Sequence, residues 1–312
     1  MPITLTVRPA GPGDAADVCA LLNAVDVFEI GRPETDLGTV EADLLHPDVD
    51  LAADSWLAFA DGRLVAYGLV WADSGPGRID CDHYVLPGHD EAAARLLELM
   101  EARAHVMNGG EREGRLRLQL NAEPTLDLGL LAARGYRSVR RYQVMTRALD
   151  EAAAVAPAPP AGLTLRHCGA DAADRRRAHA LIEETFTAHH GHVARPYEPW
   201  LDHIDGRRLD WSLVWIAALP GHGDVGVLLT RDDRTSMAWI SHLGVREDLR
   251  GRGIGAYLLR HGFAAHAARG RDTLGLGVDT HNETGALALY EAHGMALHYA
   301  VDTWELPLHS QG

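Results

Sequence analysis

Two pieces of this chain occur twice. LTVRPAGPGDAAD, starting at Leu5, returns as LTLRHCGADAAD at Leu163, and LGLLAARGY at Leu128 returns as LALYEAHGM at Leu287. The offset is 158 residues for the first pair and 159 for the second. Matching pieces near both ends of each half indicate one duplicated domain, because solenoids and propellers repeat at a much shorter period of about 20–50 residues. A chain of 312 residues, 46% of them hydrophobic, exceeds what a single core usually holds and suits two domains of ordinary size. Between the copies, EAAAVAPAPPAG lacks the periodicity of a packed element and reads as an Ala/Pro-rich linker. The expected division is therefore a first domain over 1–150, a linker over 151–162 and a second domain over 163–312.

Within the second half, LTLRHC reads as a strand and the stretch from Asp174 to about Thr187 as an amphipathic helix. SLVWIAAL, DVGVLLT and MAWISHLGV follow as three strands separated by turn residues, which fits an antiparallel meander. Ile254, Leu258, Leu259 and Phe263 then recur at helical spacing. TLGLGVD reads as a strand, GALALYEAHG as a helix and ALHYAVDTWELPL as closing strand material. The class is α/β (α+β), with mixed, mostly antiparallel sheets flanked by helices.

Composition removes several functions. The formal net charge of −15 opposes general nucleic-acid binding, which needs a broad basic surface. All 29 basic residues are arginine, which reflects codon bias more simply than function. Cys19, Cys81 and Cys168 are odd in number and fit neither a disulfide framework nor a zinc site. The opening MPITLTVRPA has no leader-like character, and the longest apolar run, LVWIAAL, is far too short to span a bilayer. A soluble, cytoplasmic protein without membrane or nucleic-acid partners is expected.

Two constellations carry chemistry. In VREDLRGRGIGAYLL, a strand runs into Arg250, Gly251, Arg252, Gly253, Ile254 and Gly255 and then into a helix. Glycines let backbone N–H groups approach an anion, a helix start adds positive potential, and the arginines add charge, which suits a pyrophosphate. The Lys-Ser/Thr of a Walker loop and the GxGxxG spacing of a dinucleotide fold are both missing. In VDTHNETGALALYEAHGM, Thr280 and Glu283 form a T-x-x-E relation that predicts a helix start. Asn282, Ala286 and Tyr290 then stand four residues apart along one helical face, the small Ala286 leaving room for a ligand.

Together these segments resemble the motifs of the GNAT superfamily of acyl-CoA-dependent N-acyltransferases, an R/Q-x-x-G-x-G/A loop and a later N-x-x-A-x-x-x-Y helix. Arg250, Gly253 and Gly255 match the first and Asn282, Ala286 and Tyr290 the second. The resemblance covers roughly Ala161 onward, and the two-copy layout is similar to tandem GNAT proteins. It implies acetyl-CoA as co-substrate, with the backbone from Arg250 to Gly255 holding its pyrophosphate. It implies that the strand carrying Leu243, Gly244 and Val245 splays from TLGLGVD, pairs with the pantetheine arm and aims an amide at the thioester oxygen. It also implies that Asn282 contacts the pantetheine and that Tyr290 protonates the departing thiolate.

The base that deprotonates the acceptor is not determined. His242, just before Leu243, is one candidate; Glu183 and Glu184 on the preceding helix are others, and a water chain could serve. HHGHVARPYEPWLDHI, from His189, reads as an aromatic and imidazole cover over a compact amine. His189, His190 and His192 lack the spacing of a metal site, so no metal is expected. In the first half VLPGHDEAAARLL replaces the glycine loop, and Leu131 stands where Tyr290 does, so that half is expected to be a degenerate copy. The expected reaction is acetyl transfer from acetyl-CoA to a primary amine of a small molecule by direct attack in a ternary complex. A non-catalytic acyl-CoA sensor and a protein N-acetyltransferase are the alternatives.

Overall fold

A computed structural model describes residues 4–308 apart from 47–48, 73–76, 110–113, 188, 190–191, 205–208 and 282–283, and omits the side chain of His203. The first half runs β1 (Leu5–Arg8), α1 (Ala15–Ile30), α2 (Leu37–Leu44), α3 (Leu51–Asp54), β2 (Ser55–Ala60), β3 (Arg63–Ala72), β4 (Arg78–Val85), α4 (Asp90–Asn108), β5 (Gly114–Asn121), α5 (Leu128–Ala133) and β6 (Arg137–Ala148). The second runs β7 (Thr164–His167), α6 (Ala172–Phe186), α7 (Tyr197–His203), β8 (Val214–Leu219), β9 (Gly223–Arg231), β10 (Ala238–Val245), α8 (Ile254–Ala268), β11 (Thr273–Asp279), α9 (Ala286–Ala292) and β12 (Ala296–Leu308).

The chain divides into two compact units, Met1–Tyr142 with Tyr299–Gly312, and Gln143–His298. The boundaries fall inside β6 and β12, not at the Ala/Pro stretch expected to separate them. Residues 151–162 contain no helix or strand, yet Ala153 within them is buried with Leu163 and Met145 in the core of the second unit. The closing strand, expected in the second domain, lies largely in the first unit, where Val301–Leu308 pair antiparallel with β5.

The first unit has strand order β1-β2-β3-β4-β5-β12, antiparallel except for the β4/β5 pair. Asp61 and Gly62 both take positive φ between β2 and β3, the type I′ geometry whose twist matches the hairpin strands. Alternation along β3 sends Ala66 and Val70 toward Leu96, Leu97 and Met100 of α4, while Tyr67 and Leu69 join Val18, Leu22 and Val40 of α1 and α2.

The second unit repeats this plan with strand order β7-β8-β9-β10-β11, only β10/β11 being parallel. On one face Val225 and Leu228 of β9 pack with Ile254, Leu258, Leu259 and Phe263 of α8; on the other Val227 and Leu229 pack with Ala178, Leu181 and Ile182 of α6. Each such buried aliphatic side chain stabilises the fold by about 1.5–3 kcal/mol. The Asp171 carboxylate accepts from the Ala173 amide and starts α6.

Each unit also buries a neutral histidine. His266 is fully buried, with Nε2 2.8 Å from Thr230 Oγ1. The threonine hydroxyl donates to the Leu213 carbonyl, so it accepts from His266 Nε2–H. Burial lowers the His266 pKa to about 4, and does the same to His83 beside the Ala93 carbonyl. The unfolded chain therefore takes up protons from about pH 6.5 downward that the folded chain refuses until near pH 4. Stability is full above that window and falls as pH drops through it. The urea midpoint should decline between pH 6.5 and pH 4, and His266→Gln, which keeps a donor for Thr230, should flatten that decline; an unchanged slope would remove His266 as a cause.

Candidate active site

The site is built where two neighbouring strands stop pairing. β10 and β11 are in register through Ala238↔Leu274, Trp239↔Gly275 and Ile240↔Leu276, and among the described residues the ladder ends there. Both strands continue, β10 to Val245 and β11 to Asp279. On the other side of β10, Ile240 pairs with Thr230 and His242 with Leu229, leaving Ser241 as an extra residue. Such a bulge bends its strand and increases the local twist. Beyond it, His242, Leu243, Gly244 and Val245 stay paired with β9 only, so their alternate backbone groups face a gap suited to an extended amide-bearing chain.

Gly244 lets α6 close over this stretch. A Cβ there would lie 2.2 Å from Thr185 Oγ1, and Thr185 is buried with its hydroxyl donating to the Leu181 carbonyl.

Below the gap, β10 passes through a short 3-10 turn, Glu247–Leu249, anchored by buried Leu249, into α8. Gly251 and Gly253 have φ of 76° and 77°, a left-handed conformation that favours glycine. No atom lies within 4 Å of either Cβ position, so backbone conformation and not space demands glycine there. Gly255 is different: its Cβ position is 3.4 Å from Leu289 and 3.8 Å from Val245, which brings α8, α9 and β10 together. The first α8 bond runs from the Tyr257 amide to the Gly253 carbonyl, so the amides of Ile254, Gly255 and Ala256 precede the helical ladder. No acidic residue occupies that first turn. Arg250 and Arg252 are exposed, and Arg250 Nε lies 3.3 Å from the Val245 carbonyl.

Tyr290 lies on α9, 7% exposed, in the cluster that also holds Ile254, Leu276 and Val278, with Leu243, Val245 and Ala286 packed against it. Burial pushes its phenol up to about 12, which keeps the proton on at ordinary pH. The helix begins at Ala286 behind Gly285, whose φ is 76°, so the expected start at Thr280 is corrected: Thr280 sits in a turn. Ala286 and Tyr290 share a helical face as expected, but Asn282 and Glu283 lie outside the described residues.

The end of α6 contributes a stack that spacing could not reveal. Phe186 has the His189 ring stacked 4.3 Å away at 29° and the His242 ring 5.1 Å away edge-on. Burial lowers the His189 pKa, with Asp279 opposing the shift and His192 and Arg250 adding to it, so the stack sits within electrostatic reach of the β11 end and the arginine loop. Of the two glutamates considered as bases, Glu184 is half exposed and pairs with Arg246 at 3.2 Å. Glu183 lies between two imidazoles, His192 at 3.2 Å and His179 at 3.6 Å. His179 in turn contacts Tyr197 and Trp200 of α7, consistent with an aromatic cover. No cluster able to hold a metal occurs among the described residues, and His190 lies outside them.

Comparison with known proteins agrees with this geometry. Residues 210–294 match the family model described as an acetyltransferase (GNAT) domain. The match falls within the second unit, which is therefore similar to a GNAT acetyltransferase domain over those residues. A GCN5-related N-acetyltransferase from Sphaerobacter thermophilus is 27% identical, with a TM-score of 0.85 over 98% of this chain and 96% of that one. A tandem GNAT protein from the clavulanic acid biosynthesis pathway is 16% identical, with a TM-score of 0.75 over 99% of this chain and 100% of that one. The whole chain thus has the fold of a tandem GNAT protein. No curated protein matched.

The close approach at Gly244 gives a direct test. Gly244→Ala should lower stability by about 1–3 kcal/mol through overpacking against Thr185, and Thr185→Ala in the same chain should recover part of the loss in urea denaturation. A loss that Thr185→Ala leaves untouched would place the strain elsewhere.

Proposed function

We propose that the second unit transfers an acetyl group from acetyl-CoA to a primary amine of a small molecule, by direct attack in a ternary complex. The observation that carries this reading is the end of the β10/β11 ladder at Ile240↔Leu276, directly above a glycine loop that opens α8. The residues fit the co-substrate: left-handed Gly251 and Gly253, the free amides at the α8 start, and exposed Arg250 and Arg252 form a cradle for a diphosphate. The backbone of Leu243, Gly244 and Val245 supplies donors and acceptors for the pantetheine arm, and one of its amides would stabilise the oxyanion that develops at the thioester carbonyl. Bound acetyl-CoA supplies an activated acetyl group.

Tyr290 holds a proton that its burial keeps in place, and delivers it as the carbon–sulfur bond breaks. His242, beside the ladder end and edge-on to Phe186, is the base we favour for the acceptor amine; Glu184, paired with Arg246, is the weaker candidate. The stacked Phe186 and His189 suit a compact amine, and the acidic chain favours approach of a cation. A covalent acyl-enzyme is disfavoured because Cys168 is fully buried and its thiol is pushed up to about 12.

With any amine that releases free coenzyme A, initial-rate patterns should intersect, as a ternary complex requires. Tyr290→Phe should lower kcat by about 10²-fold with little change in KM for acetyl-CoA. Parallel patterns would contradict direct attack, and an unchanged kcat would remove Tyr290 from its role.

A further inference from the structure

One face of α6 holds a carboxylate that acetyl transfer leaves without a role. His179, Glu183 and Phe186 are four and three residues apart, so they stand in line along that face. Phe186, at one end of the line, meets the His242 ring beside the end of the β10/β11 ladder. His179, at the other end, meets Tyr197 and Trp200 of α7. Glu183 therefore sits between the ladder end and the aromatic cover, about one helical turn, roughly 5.4 Å, from Phe186.

The neighbours of this carboxylate leave it unsatisfied. His179 Nε2 lies 2.9 Å from the Arg195 carbonyl, which can only accept, so that nitrogen carries a proton and donates it there. Its 3.6 Å approach to Glu183 Oε1 is too long for a hydrogen bond. His192 Nε2 comes within 3.2 Å of Glu183 Oε2, yet neither atom makes a hydrogen bond and both are shut off from solvent. Among the described residues no arginine pairs with Glu183, whereas the adjacent Glu184 has Arg246. The Glu183 side chain as a whole is 20% exposed, which keeps it within reach of a solute.

An enclosed carboxylate oxygen and an enclosed imidazole nitrogen that lack hydrogen bonds are each costly. One kind of guest serves both. An ammonium group brings positive charge and three N–H donors, enough for Glu183 Oε2 and for the lone pair of His192 Nε2 in its Nδ1–H form. A hydroxyl brings one donor and no charge, and an anion is repelled. The reacting amine is assigned to the ladder end, so an ammonium at Glu183 belongs to a second group of the same acceptor. A short methylene chain along the Phe186 ring spans the turn between them.

We propose that Glu183, with His192, binds an ammonium group and so selects acceptors that carry a second cationic amine a short aliphatic chain away from the reacting one. Resting on acetyl transfer in the second unit, this assigns its acceptor class, a short aliphatic diamine. Glu183 is then a specificity residue that holds the end of the acceptor that does not react.

The test compares putrescine with n-butylamine, which has the same chain without the second ammonium, by calorimetric titration of the full chain and by coenzyme A release from acetyl-CoA. Putrescine should bind more tightly by about tenfold or more, the worth of one charge-assisted contact. Glu183→Gln should remove that advantage and leave butylamine as it was, and in turnover the loss should fall on KM for putrescine and spare kcat. Glu291→Gln, which removes an exposed carboxylate of α9, should alter neither amine. Thermal melting shows whether each variant is folded, and His192→Leu, expected to weaken putrescine several-fold, decides the matter if Glu183→Gln is not. Absence of putrescine binding, equal binding of the two amines, or putrescine binding indifferent to Glu183→Gln and His192→Leu would each overturn the proposal. Putrescine binding that depends on Glu183 without any coenzyme A release would uphold the ammonium site and count against acetyl transfer instead.

Discussion

The second unit depends on where β10 stops pairing with β11. A parallel ladder carried to the ends of both strands would use their backbone groups on one another and leave nothing for a ligand. Here, among the described residues, the pairing ends at Ile240↔Leu276, Ser241 forms a bulge against β9, and His242 to Val245 remain held by β9. The gap is therefore rigid on one side and unpaired on the other. Gly244 lets α6 press against that strand, and the left-handed glycines let the chain turn into α8 so that the helix opens beneath the gap. The proposed diphosphate cradle and backbone edge both lie at this interruption.

The parallel ladder of the first unit also stops short, though β4 pairs with β3 without a bulge. It ends at Cys81↔Leu118 although β4 runs to Val85 and β5 to Asn121. The connection to α4 is only 86–89, and Asp90 and Glu91 fill the helix's first turn. Those carboxylates favour the helix but repel a diphosphate. Leu131, the repeat counterpart of Tyr290, is fully buried and offers no proton. The helix after the fourth strand thus opens on glycines and arginines in one unit and on two carboxylates in the other.

Much of this was legible in the sequence because it is local. Apolar segments separated by turn residues, DVGVLLT and MAWISHLGV, mark β9 and β10, and the apolar spacing of Ile254, Leu258, Leu259 and Phe263 marks the buried face of α8. The start of α9 was misread because Thr280 and Glu283 imitate a cap, whereas Gly285 caps through its left-handed backbone and has no side chain to announce it. The unit boundaries inside β6 and β12 were missed for another reason. A period of two says which residues are buried, not which sheet the strand joins. The Phe186 stack on His189 and His242, and the stack of Tyr67 on Tyr84, join residues from separate elements and have no signature in spacing.

The central claim is that the α8 loop of the second unit, and not its counterpart before α4, holds the acyl donor. Calorimetric titration of the full chain with acetyl-CoA, recording stoichiometry, tests it directly, with Gly253→Asp as the comparison. The account predicts one site per chain, lost when a carboxylate and a strained φ are placed at Gly253. Two sites, or one site that survives Gly253→Asp, would contradict it.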